Sequence, residues 1–271
     1  MATDELRRIS RKVRADVLRA TTEAGSGHPG GSLSATDILV TLYWRVLRHD
    51  PENPGWPERD RFILSKGHAA PALYAVLAER GYFPKEQLHH LREHGSVLQG
   101  HPDATRTPGV EVSSGSLGNG LSISSGIASA LKLDGKSSRV YCLLGDGECD
   151  EGLVWEAAMF AAHRGLDNLT AIVDRNGLQI DGPTEKVVSL EPLADKWRAF
   201  NWNVVCVSGH DHAKLLSAFE EARKAKGKPT AIIADTVKGK GVSFMEGVVG
   251  FHGKACTPAE LDTACKELEG D

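Results

Sequence analysis

Aromatic residues make up only 6% of this 271-residue chain, so a hydrophobic content of 41% rests mainly on small aliphatic side chains. No apolar stretch approaches membrane-spanning length. The charged segment from Asp4 to Arg14 lacks the apolar core of a signal peptide, so neither export nor a membrane is expected. There is no basic excess: 32 Lys and Arg stand against 36 Asp and Glu, a formal charge of −4, and nucleic acid is not expected as a partner. The runs Arg7-Arg8 and Arg11-Lys12 read as the solvated face of a helix. None of the five cysteines forms a Cys-x-x-Cys pair, and Cys142 and Cys206 lie inside apolar runs of strand type. They are expected to be reduced and mostly buried, in a cytoplasmic protein. No internal repeat or low-complexity linker interrupts the chain, whose length suits one domain over 1–271 with a sizeable core.

What is present divides near Arg139. The first half reads as helices. Leu6, Ile9, Val13, Val17 and Leu18 recur at helical spacing, and Ser34-Ala35-Thr36-Asp37 reads as a capping box opening a helix through Leu47. Further helices are expected at Pro71–Arg80, stopped by Gly81, and at Lys85–His94, stopped by Gly95. The Ser, Gly and Ala-rich stretch Leu121–Leu131 suits a tightly packed helix. After Arg139 strands and helices alternate: strands at Val140–Leu144, Thr170–Asp174, Val204–Val207 and Ala231–Thr236. The helices between and after them are at Leu153–His163, Leu193–Phe200, Ala213–Lys224 and from Thr257-Pro258-Ala259-Glu260 onward. Strands apolar throughout and separated by helices predict an α/β fold, a mostly parallel sheet with helices on both faces. Ligands bind such sheets beyond the carboxyl ends of the strands, where Asp146, Asn176 and Lys238 fall.

Gly145-Asp146-Gly147 closes the first of those strands, and Asn176 follows the second, 30 positions beyond the aspartate. A carboxylate and an amide oxygen at adjacent strand tips suit a hard divalent ion. Mg²⁺ takes only one or two carboxylates and leaves positions for phosphate and water. The flanking glycines let a phosphate approach the backbone. Gly-Asp-Gly by itself is a common turn, so the second strand tip carries the argument. Four of eleven histidines also sit in glycine-bearing turns: His28, His68, His101 and His252. Histidines on loops can be aimed at one point, there to donate to phosphate or to move a proton near neutral pH. A zinc site is the alternative, but no two of the four have close helical spacing and no cysteine joins them. His89 and His163 lie in helical patterns and read as surface or core residues. Ser113 to Gly120 forms a further glycine loop whose spacing matches neither a Walker loop nor a dinucleotide fingerprint.

Taken in order, Ser26-Gly27-His28-Pro29-Gly30, Ser65-Lys66-Gly67-His68, Gly100-His101-Pro102, Gly115-Ser116-Leu117-Gly118, Gly145-Asp146-Gly147-Glu148 through Glu151-Gly152, Asp174-Arg175-Asn176-Gly177 and Lys238-Gly239-Lys240-Gly241 leading to His252-Gly253 resemble the thiamine-diphosphate-binding half of transketolase. The resemblance runs over nearly the whole chain. It implies that Asp146, Asn176 and the Leu178 carbonyl hold Mg²⁺ or Ca²⁺, and that His68, His252 and the Gly147 backbone contact the diphosphate. Gly115, Ser116 and Leu117 would lie along the pyrimidine. His28, His101 and His252 would line the channel to the reacting carbon, where they bind sugar hydroxyls and assist proton transfers. In the family, a second domain carries the glutamate that activates the aminopyrimidine, and a third domain follows. Neither is expected in this chain. Glu151 should therefore face a partner. The resemblance implies the N-terminal subunit of a split transketolase, paired with a C-terminal transketolase subunit in an α₂β₂ assembly and transferring a two-carbon ketol unit between sugars or sugar phosphates. The rivals are the cofactor-binding subunit of a 2-oxo acid dehydrogenase and a non-catalytic module of the same fold.

Overall fold

The computed structural model describes residues 3–270. Five parallel strands form its main sheet: β1 (Arg61–Leu64), β2 (Val140–Gly145), β3 (Leu169–Arg175), β6 (Asn203–Ser208) and β7 (Thr230–Asp235), in the order β1-β2-β3-β7-β6. Two short strands, β4 (Leu178–Gln179) and β5 (Gly182–Pro183), make a separate antiparallel hairpin. The helices are α1 (Thr3–Glu23), α2 (Pro29–Thr41), α3 (Ala70–Arg80), α4 (Asn119–Leu133), α5 (Gly152–His163), α6 (Thr184–Val187), α7 (Leu193–Ala199), α8 (His212–Lys224) and α9 (Pro258–Gly270).

The strands are apolar at nearly every position because both faces of the sheet are covered. Side chains alternate across the sheet. Leu64, Tyr141, Leu143, Ile172 and Ile232 point to a core shared with Val13 of α1, Leu39 of α2, Leu73 of α3, Phe219 of α8 and Ala264 of α9. Ile63, Cys142, Leu144, Val173 and Ile233 point to the other face, onto Leu121 of α4, Val154 of α5 and Trp197 of α7. Each fully buried Leu, Ile or Val contributes about 1.5–3 kcal/mol. The expected parallel sheet with helices on both faces is therefore what the chain forms.

Several local expectations are corrected. Ser34 does not cap a helix: α2 begins at Pro29, all of its residues are buried, and the Ser34 hydroxyl instead donates to the Asp174 carboxylate at 2.6 Å. Proline at the first position starts the helix earlier, since its missing N–H needs no partner there. The same helix runs on only through a π-helical turn, Leu42–Val46. Lys85–His90 is a 3₁₀ turn rather than a helix reaching His94, and the left-handed backbone of Arg92 (φ 65°) prevents its continuation. Strand β1 is an addition to the expected set, because Phe62-Ile63-Leu64 is too short an apolar run to stand out. Cys206 is exposed, since β6 is an edge strand; Cys142, Cys149 and Cys256 are buried, and all five thiols are free. The capping box at α9 does form: Thr257 Oγ1 accepts from the Glu260 N–H (3.3 Å), and the Glu260 carboxylate accepts from the Thr257 N–H (2.7 Å). No helix among the described residues is long and apolar enough to cross a membrane.

Candidate active site

The carboxyl ends of four neighbouring strands carry the polar residues. Lys66 follows β1, Asp146 follows β2, Asn176 follows β3 and Lys238 follows β7. They open into one cavity of about 400 Å³.

Asp146 starts a 3₁₀ turn, Gly147–Asp150, its Oδ1 accepting from the Gly147 N–H at 2.8 Å. Its Oδ2 accepts from the Gly177 N–H (2.6 Å) and from Arg175 (3.2 Å), so the two strand tips are tied together across the sheet. Asn176 Oδ1 accepts from the Leu178 N–H at 3.1 Å, and the Leu178 carbonyl turns inward to accept from Lys238 Nζ at 3.2 Å. The three oxygens expected to bind a metal thus come from one carboxylate, one amide and one carbonyl on adjacent loops. Burial, and then the nearby Asp174 charge, raise the Asp146 carboxyl above the usual range. That is the condition in which an added cation stabilises the carboxylate most.

The four loop histidines converge. His28, at the N-terminus of α2, has its ring centroid 5.4 Å from His68, 6.4 Å from His101 and 5.4 Å from His252, and His68 lies 5.1 Å from His252. Gly115 makes the approach of His101 possible: its φ is 145°, and a Cβ there would lie 3.0 Å from the imidazole. Burial dominates the titration of all four rings. It pushes His28 down to about 4, with Arg92 the largest charge opposing protonation. It pushes His252 down to about 3, with Lys238 next. His68 falls well below its ordinary value by burial and Lys66, and His101 falls by burial and Arg92. At neutral pH the cluster is a set of neutral imidazoles, each with one donor and one acceptor nitrogen.

Lys238 is only 2% exposed, and no carboxylate among the described residues lies within ion-pair distance of it. Its ammonium bonds to His252 Nδ1 at 2.9 Å and to the Leu178 carbonyl. Burial and then Lys66 depress it to about 8. His28 Nδ1, Asp150 Oδ1 and Gln179 Oε1, all from residues lining the cavity, are buried without hydrogen-bond partners. Buried polar atoms are normally paired, so the two orphan oxygens call for a donor or a cation and the ammonium calls for an anion, a mixed demand that an anion carrying a bound cation would meet.

Of the residues singled out from sequence, His28, His68, His101, Gly115, Leu117, Asp146, Gly147, Glu151, Asn176, Leu178 and His252 all line this cavity. Ser116, between Gly115 and Leu117 in the chain, is exposed and is not among the lining residues. Glu151 lies at the exposed rim, at the start of α5. Sequence reasoning missed roles for Lys66, Asp174, Glu148, Gln179 and Ile180. Glu148 is buried beneath the site and ties three loops, accepting from Ser65 and from the N–H groups of Gly118 and Gly145.

The chain matches the family model "Transketolase, thiamine diphosphate binding domain" over residues 6–270. This chain belongs to the transketolase family. It is 49% identical over 261 residues to a 6-deoxy-6-sulfo-D-fructose transketolase subunit of a Clostridium species, covering 94% of this chain and 95% of that one. It is 41% identical over 268 residues to an apulose-4-phosphate transketolase subunit of Phocaeicola vulgatus, covering 99% and 95%. The crystal structure of Campylobacter jejuni transketolase superposes with a TM-score of 0.94 at 34% identity, covering 99% of this chain but 43% of that chain. The chain therefore corresponds to the thiamine-diphosphate-binding part of the family, and the fold read from the sequence is the family's.

Proposed function

We propose that the chain is the cofactor- and metal-binding subunit of a two-chain transketolase, moving a two-carbon ketol unit from a ketose to an aldose. The observation that carries the reading is the convergence of four neutral imidazoles and an uncompensated ammonium above one carboxylate, one amide and one carbonyl oxygen. The donor set is all oxygen with a single carboxylate, which fits Mg²⁺ or Ca²⁺ shared with a phosphorylated ligand. Asp146, Asn176 and the Leu178 carbonyl are assigned to the metal. His68, His252, Lys238 and the Gly147 N–H are assigned to the diphosphate, with Gly115, Leu117 and the exposed Ser116 along the pyrimidine side. When bound, thiamine diphosphate supplies a stabilised carbanion centre for two-carbon transfer.

The protein's own part is orientation and proton handling. Neutral His28 and His101 can donate to a substrate oxygen through one ring nitrogen and accept a hydroxyl proton through the other, whereas His252, whose Nδ1 accepts from Lys238, is left with Nε2–H as a donor. Burial and the nearby cations lower all three, His28 to about 4 and His252 to about 3, so the rings are neutral at pH 7. Negative charge developing on a substrate oxygen meets fixed donors and nearby cations.

Residues 1–271 act in this reading as one thiamine-diphosphate-binding domain, and a C-terminal transketolase subunit supplies the pyrimidine-activating glutamate in an α₂β₂ assembly. Support comes from the two relatives named as subunits, which the chain spans to 95% of their length. It spans 40% of human transketolase. Glu151, exposed at the rim of the cavity and without an ion-pair partner among the described residues, is assigned in this reading to meet the partner's group. Both named relatives act on sugars bearing an anionic substituent, and an anionic ketose or aldose is the substrate class proposed here. The test is turnover of the purified chain with thiamine diphosphate and Mg²⁺, with and without the complementary subunit, using ketose and 2-oxo acid donors. Ketol transfer only in the reconstituted pair is the expected result; robust turnover by this chain alone refutes the two-subunit reading, and preference for 2-oxo acids refutes the donor class.

A further inference from the structure

Asp37 stands outside everything assigned so far. In the sequence it completes a local capping pattern with Ser34, yet in α2 its carboxylate is buried and meets groups from three other elements. Arg14 of α1 donates to both of its oxygens, at 3.2 and 2.6 Å. His212, at the start of α8, lies 3.5 Å from Oδ1. His210, in the loop after β6, meets Oδ2 through Nδ1 at 2.8 Å. Burial opposes ionisation of Asp37, but the Arg14 charge and then the His210 bond outweigh it and hold the carboxyl well below its usual range.

An ionised carboxylate only accepts, so the His210 proton that faces it sits on Nδ1. The other ring nitrogen, Nε2, accepts from the Val237 N–H at 2.8 Å. Both bonds require the same tautomer. Val237 lies two residues past the end of β7 and immediately precedes Lys238. Gly209 lets the loop come this close: its N–H donates to the Asp235 carbonyl at 2.7 Å, and a Cβ there would collide with Thr236 Cγ2.

The backbone around Lys238 is held from two further sides. The Gly239 N–H donates to the Gly30 carbonyl at 3.0 Å, and the Gly247 N–H donates to the Lys238 carbonyl at 2.9 Å. A Cβ on Gly30 would lie 3.2 Å from Lys238 Cγ, so the lysine stem runs against the first turn of α2. Of these three ties, the one through His210 is made by a side chain. It refers the Lys238 loop to α2, the helix whose N-terminus carries His28. His210 is not among the residues lining the cavity, so any effect it has on the site passes through Lys238.

We propose that His210 is a positioning residue: its imidazole, oriented by Asp37, fixes the Val237 amide and so aims the Lys238 ammonium at His252 and into the cavity. The inference rests on the reading above for the assignment of Lys238 to the diphosphate, and adds to it the group that holds Lys238 in place.

The test compares wild type, His210→Gln and His210→Asn. The longer glutamine side chain reaches where Nε2 stands and can still accept from Val237, whereas asparagine reaches only where Nδ1 stands and keeps the Asp37 contact alone. In calorimetry of the complex reconstituted with the partner subunit, His210→Asn is expected to weaken Mg²⁺-dependent thiamine diphosphate binding by about 10- to 100-fold, and His210→Gln by less than about threefold. Equal losses in the two variants, or a lower urea midpoint in both with unchanged affinity, show a merely structural role and overturn the proposal.

The imidazole nitrogen resonances of the full chain without cofactor give an independent reading. His252 Nδ1 is expected to show the hydrogen bond from Lys238 in wild type and His210→Gln and to lose it in His210→Asn; its retention in His210→Asn overturns the proposal. The wild type alone decides the tautomer, whether or not either variant folds: a proton on His210 Nδ1 supports the assignment, and a proton on Nε2 overturns it. Absence of thiamine diphosphate binding by the wild-type complex refutes the cofactor reading itself, and the placement of Lys238 is then decided by these resonances.

Discussion

Replacing Asp174 by asparagine tests the foundation of the site. Asp174 is fully buried at the end of β3, and its Oδ2 accepts from Lys66 Nζ at 2.5 Å, with the two side chains 0% and 1% exposed. Ser34 donates to the same oxygen, Thr236 donates to the other, and Lys66 also donates to the Gly31 carbonyl at 3.1 Å. Burial opposes ionisation of Asp174, but the Lys66 ammonium and the two hydroxyls outweigh it and hold the carboxyl below its usual range. Asparagine keeps the shape and strands the ammonium. Removing one partner of a buried pair costs about 3–5 kcal/mol, because the other charge is left in a medium that cannot solvate it. At about 2–4 °C per kcal/mol for a chain of this size, Tm falls by roughly 6–20 °C. Urea unfolding of the cofactor-free chain at pH 7 measures the loss directly. The double variant Lys66→Met/Asp174→Leu removes both charges and is expected to recover most of the stability, within about 1–2 kcal/mol of wild type, while cofactor affinity stays low because the cation beside the site is gone. Asp174→Asn within about 1 kcal/mol of wild type refutes the argument, as does a double variant whose loss equals the sum of the two single losses.

Asp146→Asn is expected to leave the free chain as stable as wild type or slightly more so, since burial and Asp174 already raise that carboxyl, while metal-dependent thiamine diphosphate affinity in calorimetry falls by at least about 100-fold; unchanged affinity would contradict the metal assignment. Folded-state values of about 4 for His28 and about 3 for His252, both below the ordinary 6.5, mean that the unfolded chain takes up protons first as pH falls. Stability should therefore be constant with respect to these groups above about pH 7 and decline from 6.5 downward. A His28→Gln/His252→Gln variant should show a flatter urea midpoint over pH 6.5 to 4, and an identical slope would count against neutral burial of the cluster. Thr257→Ala is expected to cost about 1 kcal/mol through the α9 cap without altering cofactor affinity, and a loss of affinity would mean that α9 supports the site.

The fold was legible where one physical cause controlled the local pattern. Strands β2, β3, β6 and β7 came within a residue or so of their expected limits; β2, β3 and β7 did so because a strand covered on both faces must be apolar at successive positions, and the partly exposed edge strand β6 because of its Val204-Val205-Cys206-Val207 run. Strand β1 escaped because four residues, the first an arginine, carry too little of that pattern, and its identity is set by pairing with β2 through Arg61 opposite Val140 to Leu64 opposite Leu143. The Ser34 misreading has the same origin. A serine followed three residues later by aspartate satisfies a local capping rule, but α2 is buried all round, and its hydroxyl is claimed by Asp174, 140 positions away.

The site was legible to the extent that its residues sit in glycine turns after apolar runs, which marked Asp146, Asn176 and the four histidines. What stayed hidden is the charge compensation. Lys66 lies between Ser65 and Gly67 in a motif that pointed to His68, and nothing local pairs it with an aspartate 108 positions on. Parallel strand order brings the two together, because β1 and β3 flank β2 and end on the same rim. The same geometry explains why Lys66 has its counter-ion and Lys238 does not. Asp174 lies beneath the rim and is committed to Lys66, Ser34 and Thr236, so Lys238, at the end of β7, meets only a neutral imidazole and a carbonyl. A buried cation without an anion is unfavourable in the empty protein and becomes favourable when a diphosphate arrives. In the proposed reading, the burial that disfavours the Lys238 charge in the free chain is thus what would strengthen its hold on a diphosphate.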